Sequence, residues 1–201
     1  MVHMVRKVLA AAAVAALSVG AVACGEPPPP PPPPASTVDA SYTESPVNNE
    51  VNIMTLDRFG QTARFAQSFT AGRSGTLDMV SAILGPPQCC GSLVPVTVSV
   101  QTLDGNGKPS GTVLGQGVWN GPALPDTNTF ADIPLTDTAE VVAGQQYALV
   151  FENPAPTNMR LYLAAPDYPG GQSFEGFATG GASPGWSVNP YDEVPFKTWV
   201  R

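Results

Sequence analysis

Val96-Thr97-Val98-Ser99-Val100-Gln101 alternates an apolar β-branched residue with a polar one. Successive side chains of a strand point to opposite faces, so three valines fall on one side and Thr97, Ser99 and Gln101 on the other, as in a half-buried strand. Asp104-Gly105-Asn106-Gly107 follows at hairpin distance. Its oxygens and glycines also suit a calcium loop, but the distal glutamate of an EF-hand is missing, and a turn with positive φ at glycine is favoured. Upstream, Phe65, Gln67 and Phe69 alternate with Arg64, Ala66 and Ser68. Downstream, Tyr147, Leu149 and Phe151 alternate with Ala148 and Val150, which makes that segment apolar on both faces. Such a strand is expected in the middle of a sandwich.

Further strands are expected at 76–84, 113–119, 129–135, 139–142, 159–164, 173–178 and 194–200, separated by turn signals such as Gly85-Pro86-Pro87, Gly121-Pro122, Asn153-Pro154, Pro169-Gly170-Gly171 and Gly180-Gly181. Charged residues make up only 12% of the chain, while Gly (20) and Pro (23) are abundant. That balance argues for many short elements joined by turns, and no segment after Cys24 keeps a helical period for three turns. The expectation is all-β: one antiparallel jelly-roll β-sandwich of roughly 8–10 strands over residues 51–201.

The N-terminus carries a different message. Arg6 and Lys7 precede an alanine-rich apolar run over 8–22, which falls short of the ~20 residues that span a bilayer. Residues 1–23 therefore read as a cleaved signal peptide. Ala21-Val22-Ala23-Cys24 resembles the lipobox of bacterial lipoproteins, which implies diacylglycerol on the Cys24 sulfur, anchoring to the cell membrane and display outside the cytoplasm. Ala21-Val22-Ala23 also satisfies the pattern of ordinary secretory cleavage, which would release the protein freely. Eight prolines, 27–34, follow as a polyproline II spacer of roughly 25 Å, and 35–50 is polar and aperiodic. Residues 24–50 are thus expected to be a lipidated N-terminus and linker.

The strand and turn sequences resemble jelly-roll modules of bacterial secreted and surface-anchored proteins catalogued as choice-of-anchor domains. The stretches that carry the likeness are Gln67-Ser68-Phe69-Thr70-Ala71 with Ser74-Gly75-Thr76-Leu77, 96–102 with the turn through Gly111, 143–150, Tyr168-Pro169-Gly170-Gly171, and Pro195-Phe196-Lys197-Thr198-Trp199-Val200. The resemblance implies a non-catalytic surface module that binds carbohydrate or another surface ligand.

The formal charge is −7, and loss of residues 1–23 removes two cations and no acid. An acidic chain repels phosphate backbones, so nucleic acid is not expected as a partner. The one histidine, His3, lies in the leader, which leaves no residue for a Ser-His-Asp triad or a histidine zinc site. No catalytic residue, cofactor or metal site is assigned, and a monomer is expected. Cys89 and Cys90 are adjacent thiols in an oxidising compartment and can form a strained vicinal disulfide, since neighbouring Cα atoms lie ~3.8 Å apart. Scattered acids such as Asp126, Asp132 and Asp137 leave calcium open. Tyr168, Trp186 and Tyr191 are the aromatics expected to contact a ligand, because flat rings near loops stack sugars. Two rivals accompany the binding-module reading: a purely structural envelope spacer, and a hydrolase using paired carboxylates.

Overall fold

A computed structural model describes residues 34–45, 49–54, 61–85, 95–120, 129–153, 158–179 and 185–201. Its strands are β1 (Thr37–Tyr42), β2 (Asn49–Met54), β3 (Gln61–Thr70), β4 (Gly75–Gly85), β5 (Val96–Leu103), β6 (Pro109–Trp119), β7 (Phe130–Val141), β8 (Gln146–Glu152), β9 (Asn158–Leu163), β10 (Ser173–Thr179), β11 (Gly185–Asn189) and β12 (Phe196–Val200). There is no helix among the described residues, and so none long and apolar enough to cross a membrane.

The strands form one antiparallel, curled sheet in the order β1-β12-β4-β7-β6-β5-β8-β3-β10-β11, with β2 and β9 off this path. Curling follows from the way two regions change partners. β7 pairs with β4 at both ends, yet between them Leu135 and Asp137 pair with Gly117 and Gln116 of β6. A Cβ on Gly115 would lie 2.5 Å from the Asp137 carbonyl oxygen, and one on Gly117 would lie 2.3 Å from that of Pro134. Only glycine lets the two backbones approach this closely. At the other end, β9 pairs with both β4 and β2, and β2 meets β3 at Met54↔Ala63. The ladders therefore close a circuit β4-β7-β6-β5-β8-β3-β2-β9-β4.

One face of this curl forms the main core. Val96, Val98 and Val100 of β5 are buried with Phe65 and Phe69 of β3, Leu149 and Phe151 of β8, Val80 and Leu84 of β4, Ile133 of β7 and Phe196 of β12. The alternating segments thus put their apolar halves where the period of two requires. β8 does lie centrally, between β5 and β3.

Three features differ from the sequence expectation. The stretch assigned to a linker contains β1, whose Ala40 and Tyr42 enter the core and which pairs with β12. The folded unit therefore begins before residue 51, spanning Pro34–Arg201. Its polar residues Thr37, Asp39 and Ser41 mask a strand with only two core side chains. The segments expected at 129–135 and 139–142 are one strand, β7, because its irregularity is a change of partner and not a turn. With β1, β2 and β11 added, the count reaches twelve. Cys24, Cys89, Cys90, Asp126 and prolines 27–33 lie outside the described residues.

Candidate functional site

The opposite face of the β6-β5-β8-β3-β10-β11 series carries the polar halves of the same strands. Register sets them in a row: Thr97 lies opposite Glu152, Gly176 lies opposite Arg64 on one side and Trp186 on the other. Arg64 Nη1 and Glu152 Oε1 are 2.8 Å apart, with both side chains about one-third exposed (32%). Gly176 contributes no side chain, so Trp186 faces the Arg64–Glu152 pair across a gap of two strand spacings, about 10 Å.

A strap forms the wall of this groove. The β5–β6 ladder shifts register between Val100 and Gln101 and again between Gln101 and Leu103. Such bulges bend a ribbon and increase its twist, and here they turn the hairpin tip back across the sheet. Leu103 packs with Trp186 on a second apolar cluster, Ala66, Ala148, Val150 and Phe174. Lys108 Nζ donates to the Trp186 carbonyl oxygen at 2.7 Å, tying the tip to β11. This cluster explains the second apolar face of β8: the strap and Trp186 cover it.

The tip is a hairpin turn, as its sequence suggested. The Asp104 carboxylate accepts the backbone N–H groups of Asn106 (2.8 Å) and Lys108 (2.9 Å), and Gly107 takes φ 75°. Those bonds, that from Lys108 foremost, hold the carboxyl below its usual range. Below the tip, Gln101 Nε2 donates to Ser99 Oγ (2.9 Å) and its Oε1 accepts from Gly111 N–H (3.0 Å). Between strap and sheet lies a concavity of about 390 Å³, lined by Arg64, Thr97, Gln101, Gln116, Glu152 and Trp186 among others. That volume lies in the range of small-molecule sites. A second, of about 250 Å³, is lined by Ser68, Gly107, Gln146 and Gln172.

Of the three aromatics expected to contact a ligand, Trp186 lines the groove, whereas Tyr168 and Tyr191 do not. Tyr168 is half-buried: its ring meets Phe196 edge-on at 5.2 Å and Tyr42 at 5.8 Å. Burial raises its phenol pKa. Its backbone N–H donates to the Glu193 carboxylate at 2.7 Å, and Glu193 is 4% exposed, with its carboxyl pushed up by burial. Tyr191 is 78% exposed, on a turn after β11 fixed by its N–H bond to Asn189 Oδ1 (2.9 Å). Asp132 accepts from Ser81 Oγ (2.6 Å) and Asp137 from Gln116 Nε2 (3.2 Å). No group of three or more His, Cys, Asp or Glu among the described residues could hold a metal ion.

Arg64, Gln101, Gln116 and Glu152 escaped the sequence reading because polar residues at alternate strand positions look like an ordinary solvated face. A usable signal was present, however: Ala66, Ala148 and Val150 make that face apolar where solvent alone would favour polar side chains. What the assembled groove offers is one aromatic face, one neutralised ion pair, and amide and hydroxyl groups able to donate and accept. Neither a protein-family model nor a curated protein matches this chain.

Proposed function

We propose that this protein is a non-catalytic, lipid-anchored module of the bacterial cell surface that binds a carbohydrate or other envelope ligand in the strap-walled groove. The observation that carries this reading is the placement of Trp186 beside Arg64, Glu152 and Gln101 in one concavity. An amphipathic ring next to fixed polar groups suits a ligand with apolar faces and a hydroxyl rim. Paired-acid hydrolysis draws on two carboxylates flanking one bond. Among the described residues the groove is lined by one, Glu152, which Arg64 engages.

The fold in this reading is a jelly roll. Two strand series support it, β1-β12-β4-β7 and β3-β8-β5-β6. Chain connections pass back and forth between them at β3→β4, β4→β5, β6→β7 and β7→β8, as two interleaved Greek keys require. Anchoring rests on Cys24, with the proline run as spacer. One acylated cysteine supplies the membrane contact that an acidic domain lacks.

The test is a pull-down of cell-envelope polysaccharides together with a glycan array, using the protein and its Trp186→Ala variant. Enrichment that the variant loses is the expected result. No enrichment by the parent protein would favour the structural-spacer alternative. Incorporation of labelled palmitate, abolished in Cys24→Ser, is the expected sign of the anchor; an unlabelled protein free in the medium would indicate secretion.

A further inference from the structure

We infer that the groove selects uncharged, hydroxyl-rich glycan chains and rejects acidic ones. This inference rests on the binding-module reading and specifies its ligand. Among the described residues the cation lining the groove is Arg64, and Glu152 neutralises it at 2.8 Å. Lys108, on the strap, keeps its charge: its ammonium donates to the Trp186 carbonyl, and the carboxylate of Asp104 on the same turn counters it. An anionic sugar would therefore meet cations that each already face a carboxylate, Arg64 by Glu152 and Lys108 by Asp104, on a chain whose formal charge is negative with or without the leader.

For an uncharged sugar the same pair is well suited. A guanidinium offers only donors and a carboxylate only acceptors, so neighbouring hydroxyls can accept from Arg64 and donate to Glu152 without breaking the pair. Trp186 lies on the far side of side-chain-free Gly176, where a pyranose ring can stack on the indole while its hydroxyl edge faces Arg64. Across the row from Trp186 to Val118 the sheet spans five strand spacings, about 24 Å. Gln101 and Gln116 lie toward that far end. The row is therefore longer than one sugar, which favours an oligosaccharide chain over a single unit.

Affinity electrophoresis with neutral polymers (dextran, mannan, galactan, β-glucan) and acidic ones (polygalacturonate, hyaluronate) tests this. The parent protein is expected to be retarded by at least one neutral polymer and by neither acidic one. Trp186→Ala should weaken retardation about three- to tenfold, the worth of an aromatic stacking contact. Glu152→Gln keeps the shape of the side chain and unmasks Arg64; it should weaken neutral binding and create binding to the acidic polymers. Because Trp186 also covers the second apolar cluster, Gln116→Ala serves as the variant outside that cluster, and its neutral binding should fall as well. Retardation of the parent by acidic polymers in preference to neutral ones would overturn the charge inference while leaving a glycan-binding groove. Retardation by none would overturn both.

Discussion

Replacing Tyr42 by alanine tests whether the segment that looks like a tether is part of the fold. The Tyr42 side chain is 6% exposed, packs 5.8 Å from the Tyr168 ring, and donates its hydroxyl to the Ala165 carbonyl. Truncating a buried aromatic costs ~3–5 kcal/mol, and the lost hydrogen bond adds about 1 kcal/mol. Because β1 is an outer strand that can settle partly into the vacancy, about 3–4 kcal/mol is expected within the range for aromatic truncation. That is a large part of the ~5–15 kcal/mol typical of a domain. With a urea slope near 2 kcal/mol/M, the unfolding midpoint should fall by ~1.5–2 M at unchanged slope. Tyr42→Phe isolates the hydroxyl and should lower the midpoint by ~0.5 M. Val38, 37% exposed on the same strand, is the control; Val38→Ala should change stability by less than ~0.5 kcal/mol. A Tyr42→Ala midpoint within ~0.25 M of the parent would refute the placement of β1, since a tether residue carries no such energy.

Three further outcomes follow from the geometry. Burial raises the Glu193 carboxyl above its ordinary 4.5, so the folded state holds its proton more tightly than the unfolded chain. Its contribution is fully present below pH 4.5 and fades as pH rises through the folded value; Glu193→Gln should flatten that decline in urea midpoints measured from pH 4 to 7. Gly117→Ala should lower stability by at least ~2 kcal/mol, read as a fall in melting temperature, because its Cβ would strike the Pro134 carbonyl and open the β6–β7 seam. Lys108→Met should cost about 1.5–3 kcal/mol by loss of a charged hydrogen bond and should speed amide hydrogen exchange in the strap, whereas unchanged exchange over 103–110 would show that Lys108 does not hold it.

Period-two spacing made β3, β5 and β8 legible: Phe65 and Phe69, then Val96, Val98 and Val100, then Tyr147, Leu149 and Phe151 fall on one face, with buried Gln67 the polar residue among them. β1 was not, because Thr37-Val38-Asp39-Ala40-Ser41-Tyr42 offers only Ala40 and Tyr42 to the core, and partners for both come from distant parts of the chain. β7 was read as two strands because local sequence cannot say that a strand changes neighbours midway. The Asp104 turn was legible in type but not in direction: the bulges that bend its hairpin over the sheet depend on pairing with β6. For the same reason the groove was invisible. Arg64 is far in sequence from Gly176 and Trp186 and becomes their neighbour only through the β3–β10 register. Trp186 and Tyr168 carry the same aromatic signal in the sequence, yet Trp186 lines the groove and Tyr168 is built into packing against Phe196.

The central claim is that the face bearing Trp186, Arg64 and Glu152 is where a ligand sits. Titrating the isotope-labelled protein with the neutral glycan most enriched from the envelope, and following backbone amide and indole resonances, tests it most directly. Shifts are expected to concentrate at the Trp186 indole and at Arg64, Thr97, Gln101, Gln116 and Glu152, with Tyr168 and the β1–β12 edge unmoved. Shifts confined to another surface, or none at saturating glycan, would contradict it.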